Sequence, residues 1–166
     1  MRIGGITYPD INNGVGCRVT LWVSGCVHHC KGCHNPETWS FEHGEVFNET
    51  EHEKLFEALS KPYIDGLTLS GGDPLCSYEE VLELVKEVKE RFHEKNIWLY
   101  TGYTKEYMDD NFKEILDYID VLVDGAYIEE ERDLSLAFRG SRNQRLWKKT
   151  PSGGFEVVQD EDLRQN

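Results

Sequence analysis

The sequence has no run close to the ~18 consecutive apolar residues a helix needs to cross a bilayer, which excludes a spanning segment of that kind. Its first residues, MRIGGITYPDINN, lack the apolar core of a secretory signal. We therefore expect a cytoplasmic protein with no membrane partner. Basic residues are also scarce: 18 Lys and Arg against 31 Asp and Glu give a formal net charge of −13. So acidic a chain is poorly suited to phosphate backbones, and no nucleic-acid partner is expected. Solubility is sufficient explanation for the acidity itself. Internal repeats, low-complexity tracts and linker-like stretches are missing too, so residues 1–166 read as one domain, large enough for a hydrophobic core.

Cysteine is where the sequence becomes specific. The five cysteines are an odd number, which excludes complete pairing, and clustered cysteines in a cytoplasmic chain favour metal or redox chemistry over disulfides. Three of them, Cys26, Cys30 and Cys33, fall in GCVHHCKGCHN with the spacing C-x3-C-x2-C, and no fourth cysteine lies close by. Three readings stay open on these residues alone. The loop is a zinc site completed by His28, His29 or His34, a set of unrelated cysteines, or a [4Fe–4S] loop. Zinc sites usually combine two separated ligand pairs, and no second pair follows downstream. Three thiolates on a four-iron cluster would leave one iron open to a small molecule. Gly32 would let the backbone approach a bulky cofactor. Cys17 and Cys76 are too distant in sequence to assign and read as packing residues; their number excludes a second four-cysteine cluster.

Along the chain, the Gly- and Asn-rich residues 1–18 read as a loop packed on the domain, with at most a short strand or hairpin. Residues 19–23 (VTLWV) form a buried strand that leads directly into the cysteine loop. A helix follows at 48–60, with capping-box spacing at Thr50 and Glu53, then a strand at 66–70. The clearest helix is 77–91, with Ser77 and Glu80 as a second capping box and Val81, Leu84, Val85 and Val88 at helical spacing. A strand at 97–100, an amphipathic helix at 105–118 and a strand at 120–124 complete the pattern. Strand and helix alternating about four times with short loops predicts an α/β fold with a mostly parallel sheet. A closed eight-unit barrel needs at least about 200 residues. The expectation is therefore a partial, open βα barrel. Residues 145–149 and 155–158 around Pro151-Ser152-Gly153-Gly154 predict a C-terminal hairpin, with fraying from Asp160 onward.

Three strand ends carry candidate ligand positions. Gly71-Gly72-Asp73-Pro74 can present bare backbone to a ligand, with Asp73 as an added acceptor and Pro74 fixing the turn. Thr101-Gly102-Tyr103 and Asp124-Gly125 would face the same site by barrel logic. At each of these positions the competing reading is an ordinary turn. Residues 139–149 hold Arg139, Arg142, Arg145, Lys148 and Lys149 with no acidic residue. That run is either a solvated hairpin or a surface that docks an anion or a partner.

The combination of C-x3-C-x2-C after the first strand and a GGD turn after the second resembles the radical S-adenosylmethionine (SAM) superfamily. GVGCRVTLWVSGCVHHCKGCHN resembles the start of glycyl-radical-enzyme activases. LSGGDPL, LVDGAY and DLSLAFRGSRNQRL narrow the resemblance to the activases of anaerobic (class III) ribonucleoside-triphosphate reductases, over residues 9–146. The resemblance implies a radical SAM fold and an oxidoreductase in which Cys26, Cys30 and Cys33 ligate three irons of one [4Fe–4S] cluster. SAM would chelate the fourth iron through its amino and carboxylate groups. Gly32, Cys33 and His34 would contact the nucleoside through backbone, and Gly71, Gly72 and Asp73 would hold the methionine end. Thr101 and Asp124 are further cofactor-binding candidates. Reductive cleavage would give a 5′-deoxyadenosyl radical that takes hydrogen from a glycine of the reductase, the protein partner. A flavodoxin-like protein would donate the electron, since no cysteine-rich insertion supplies further clusters. Two positions depart from much of the superfamily: Gly32 stands where an aromatic is common, as in the reductase-activase subgroup, and Asp73 stands where Glu is common. The alternatives are a pyruvate formate-lyase type activase, a small-molecule radical SAM enzyme, or a zinc-stabilised binding module without catalysis.

Overall fold

A computed structural model describes residues 1–163 of the chain. Alternation of residue type along four short segments builds its centre. In β2 (Arg18–Val23), Val19, Leu21 and Val23 are buried in the main hydrophobic core. Leu67 and Leu69 of β4 (Gly66–Gly71), Ile97 and Leu99 of β5 (Asn96–Tyr100) and Leu122 of β6 (Val121–Asp124) join them. Successive strand side chains point to opposite faces, so the intervening residues line the other side of the sheet. These four strands pair in parallel, β2 with β4, β4 with β5, and β5 with β6.

Helices cover the apolar face. α1 (Glu49–Leu59) buries Leu55, Phe56, Ala58 and Leu59, and α2 (Tyr78–Arg91) buries Val81, Leu82, Leu84, Val85 and Val88. The caps differ from the sequence expectation. Asn48, whose side chain accepts from the Glu51 amide, starts α1 in place of Thr50, and Ser77 makes no side-chain capping bond. The helix expected at 105–118 is broken. α3 (Lys105–Asn111) gives way at Phe112 to a 3-10 turn, Lys113–Asp117. The Phe112 ring turns in against Tyr78, Tyr103 and Tyr107, with centroids 4.9, 5.4 and 6.0 Å away.

The largest correction is at the N-terminus, where Arg2–Asp10 forms a nine-residue strand, β1, antiparallel to β2. Gly5 at φ 144 sits at a register shift in this pairing, so the glycine that suggested a loop accommodates a bulge. A two-residue strand, β3 (Glu45–Val46), adds to its outer edge. At the other edge β7 (Arg145–Lys149) pairs antiparallel with both β6 and β8 (Phe155–Val157), which is the expected terminal hairpin. The sheet order is β3-β1-β2-β4-β5-β6-β7-β8. The parallel expectation thus holds for the central four strands, and both flanks are antiparallel. A short helix, α4 (Asp160–Leu163), occupies the start of the expected frayed tail; the rest of that tail lies outside the described residues.

The sheet face away from the helices is polar at its base. Arg18 is fully buried there. Its Nε donates to Thr68 Oγ1 (2.6 Å), and its two terminal nitrogens donate to Asn96 Oδ1 (2.7 Å), Leu67 O (2.7 Å) and Val15 O (3.0 Å). The Trp98 ring lies 5.3 Å from its guanidinium carbon. These bonds tie the starts of β2, β4 and β5 together. An Arg18→Met variant leaves buried carbonyls without donors, each costing about 1–3 kcal/mol, partly offset by no longer burying a charge. We expect a net loss of about 3 kcal/mol in denaturant unfolding, and a loss below about 1 kcal/mol would contradict this role.

Candidate active site at the ends of the parallel strands

The register places one residue from the C-terminal end of each parallel strand around a single cavity of about 480 Å³: Trp22, Ser70, Tyr100 and Val123. Its size falls within the range of small-molecule sites, roughly 300–1,000 Å³. Cys26, Cys30 and Cys33 all line it, as do His34, Gly71, Gly72, Asp73, Thr101 and Gly102. All three cysteines are free thiols. The structure therefore brings most of the candidates, from three separate chain segments, to one place.

The cysteine loop has a defined shape. Gly25, at φ 99, donates its amide to Thr38 O (2.8 Å), and the Cys26 amide donates to Trp39 O (3.1 Å). The loop is thereby laced to the 3-10 turn Pro36–Trp39. His29 takes a left-handed φ of 46 and stacks on Trp39, with centroids 4.8 Å apart. The sulfurs accept backbone N–H groups: His28 and His29 to Cys26, Tyr127 to Cys30, and Asn35 to Cys33 at 3.4 Å. Burial pushes the Cys26 and Cys30 thiols up, and these amides oppose it. Bound to metal, the same amides would stabilise thiolate.

The glycine turn approaches this loop without side chains. Gly72 N donates to Val23 O (2.7 Å), and Asp73 N donates to Gly25 O (2.9 Å). A Cβ on Gly72 would stand 2.5 Å from Gly25 O and 2.7 Å from Thr38 O. Asp73 is fully buried, and Thr101 donates its hydroxyl to both Asp73 oxygens at 2.9 and 3.0 Å. Thr101 is thus on the cavity wall and engaged within it.

Two expected ligand positions are elsewhere. Asp124 does not line the cavity, whereas its neighbours Val123 and Gly125 do. Alternation along β6 turns its carboxylate to the other side, where it accepts from Arg145 Nε (3.1 Å) and the Lys105 amide (2.6 Å). Gly32 is also off the wall. Its φ of 73 favours glycine, and an added Cβ would stand 2.8 Å from the carboxyl carbon of the Glu129 side chain. Cys76 lies outside the lining, accepts the Val27 amide, and is pushed up to about 11 by burial and by the nearby Asp73 charge. Cys17 packs against the main core.

The basic run disperses into separate roles. Arg145 pairs with Glu106 and Asp124, and Lys149 donates to the carbonyls of Leu116 and Asp117 (2.9 and 2.6 Å). Arg139 lines the cavity beside Phe138 and pairs with Asp160. Arg142 and Lys148 remain exposed. Trp39, Tyr127 and Phe138 are cavity residues for which the sequence reading had no site role, and Arg139, read there as part of a docking run, is on the cavity wall instead. Trp39, six residues beyond Cys33, is the one a closer reading of the loop could have found.

The chemistry of the wall suits an iron–sulfur cluster with a ligand beside it. Among the described residues, no three Cys, His, Asp or Glu side chains converge as ligands of a single ion. The three thiols instead share the wall of a cavity much larger than one ion. Two buried donors without protein partners, Trp39 Nε1 and Arg139 Nε, belong to cavity-lining residues. An acceptor-bearing ligand would complement such a wall.

Comparison with known proteins places this site in a family. Residues 12–147 match the 4Fe-4S single cluster domain family. The chain is 50% identical over 146 residues to the anaerobic ribonucleoside-triphosphate reductase-activating protein of Enterobacteria phage T4, covering 86% of this chain and 92% of that protein. It is 47% identical over 148 residues to the protein of that name from Vibrio cholerae, covering 86% of this chain and 96% of that protein. For the protein of that name from Escherichia coli K12 the identity is 41% over 142 residues, covering 82% and 92%. The chain belongs to the anaerobic ribonucleoside-triphosphate reductase-activating protein family, within the 4Fe-4S single cluster domain proteins.

The packing of the glycine turn makes a direct prediction. Gly72→Ala forces its methyl against two carbonyl oxygens of the loop and the Pro36–Trp39 turn. We expect a destabilisation of about 1–3 kcal/mol together with clearly reduced iron after anaerobic reconstitution. Unchanged melting and iron content would contradict the observed contact.

Proposed function

We propose that this protein is a radical SAM oxidoreductase that activates an anaerobic ribonucleoside-triphosphate reductase. The observation that carries the reading is one cavity lined by three free thiols and a side-chain-free glycine turn, with no fourth cysteine on its wall. Cys26, Cys30 and Cys33 would hold one [4Fe–4S] cluster, and Gly71 and Gly72 would offer backbone groups to the amino-acid end of SAM. The backbone of Cys33 and His34 would meet the nucleoside. A reduced cluster held there would supply the electron for cleaving SAM to methionine and a radical species able to activate a glycine of the reductase.

The chain's own residues bind, orient and exclude water. Tyr100, Trp22 and Val123 floor the cavity with rings and hydrocarbon. The amides on the three sulfurs stabilise thiolate and tune the cluster. We take the sheet as the wall of an open βα barrel of the radical SAM type and residues 1–166 as one such domain; continuous strand pairing from β3 to β8 supports this. Among the described residues, no helix is long and apolar enough to cross a membrane. We place the protein in the cytoplasm, with a flavodoxin-like protein as electron donor.

Anaerobic reconstitution with SAM and dithionite tests the site. Cys26→Ala, Cys30→Ala and Cys33→Ala each abolish formation of methionine and 5′-deoxyadenosine, while Cys76→Ala retains it. Cleavage surviving in any of the three would remove the mechanism. Exposed Arg142 and Leu134, the latter 81% exposed, share the segment between β6 and β7 and suit partner docking. Arg142→Glu should lower reductase activation more than uncoupled SAM cleavage; equal loss of both would contradict docking there.

A further inference from the structure

We infer that Asp73 is a positioning residue rather than a ligand contact, and that His28 is its partner in fastening the cysteine loop to two strand-end turns. The inference rests on the proposed function only where it refers to the cluster. A carboxylate has about four lone-pair sites. Oδ1 of Asp73 accepts from the Leu75 amide (2.9 Å) and the Thr101 hydroxyl (3.0 Å). Oδ2 accepts from the Gly102 amide (2.8 Å), the same hydroxyl (2.9 Å) and His28 Nε2 (2.8 Å). The side chain is therefore saturated by four donors of this chain and fully buried. No capacity remains for the ammonium of an amino acid, so only the backbone of this turn is free to hold one.

The donors come from three places. Leu75 follows Asp73 in its own turn, Thr101 and Gly102 end the next strand, and His28 lies between Cys26 and Cys30. Since an ionised carboxylate only accepts, Nε2 of His28 carries the hydrogen. Its ring also meets Tyr103 edge-on at 4.6 Å, and the absence of a side chain at Gly102 makes room for it: an added Cβ would stand 2.4 Å from His28 Cδ2. One anion thus joins the cysteine loop, the glycine turn and the β5 end. The short acid matters, because a Glu at this position would carry its carboxylate one methylene beyond donors already in place.

Thiol reactivity of the metal-free protein and iron release from the reconstituted protein, both without SAM, test this. A ligand contact would move neither. Hydrogen bonds to a charged group contribute about 1.5–3 kcal/mol, so losing this one should speed opening of the loop by about tenfold or more. We expect His28→Ala to accelerate iodoacetamide modification of Cys30 by about that factor and chelator-driven iron loss likewise. Modification of Cys17, remote from the loop, serves as the folding control and stays unchanged. His28→Gln, whose side-chain amide can donate to Asp73, should restore both rates toward wild type. Wild-type rates in His28→Ala would overturn the inference. So would an Asp73→Asn variant that binds SAM more weakly while its thiol reactivity and iron release stay normal. If the wild-type protein assembled no cluster, the proposed function would fail, and the thiol measurement would still decide this inference.

Discussion

A buried carboxylate must be surrounded by donors, and Asp73 takes its donors from three loops that are far apart in sequence. That requirement fixes where the cysteine loop sits. The loop itself is short, contains glycines at both ends, and has no regular structure to hold it. It is held instead by the Thr38 and Trp39 carbonyls on one side and by the His28 link to Asp73 on the other. With the link intact, three thiols and a glycine turn face one volume. Without it, the Asp73 amide would still tie the start of the loop to the glycine turn through Gly25 O, but the stretch between Cys26 and Cys30 would lose its side-chain anchor.

The sheet gives this arrangement its base. One face of the four parallel strands is hydrocarbon against helices, and the other carries Arg18, Thr20, Thr68 and Trp98 in its lower layers and Trp22, Ser70, Tyr100 and Val123 at the cavity. Arg18 makes a polar floor feasible by donating to side chains and carbonyls that would otherwise be buried without partners. The antiparallel flanks then extend the wall on both sides. β7 also brings Arg145 onto Asp124, which is how an acidic strand end becomes structural.

The central strands, their helices and the terminal hairpin were legible because periodicity survives in short segments such as VTLWV and VLELVKEV. β1 was not, because Gly4, Gly5 and Pro9 outweigh its apolar residues and its partner strand is what orders it. Phe112 was invisible as a helix break, since its ring contacts come from Tyr78 and Tyr103 in other elements. In the site, the cysteine spacing and the paired glycines were readable because each is a compact pattern in the chain, although the carbonyls of Gly25 and Thr38 that exclude a side chain at Gly72 come from distant segments. The partners of Asp73 and Asp124 were not: His28 is 45 residues from one, and Arg145 is 21 from the other. Gly32 lies off the cavity wall in a left-handed conformation, which by itself favours glycine at this point of the motif.

Family membership, and a cavity wall of three thiols beside a glycine turn, support the activity proposed above. Electron paramagnetic resonance of the anaerobically reconstituted protein with a cognate reductase, SAM and a reductant tests it most directly. A glycyl-radical doublet that appears on the reductase, and fails to appear when SAM is left out, is the result expected. A reductase that stays free of radical while the protein carries a full, reducible cluster and cleaves SAM would contradict the account.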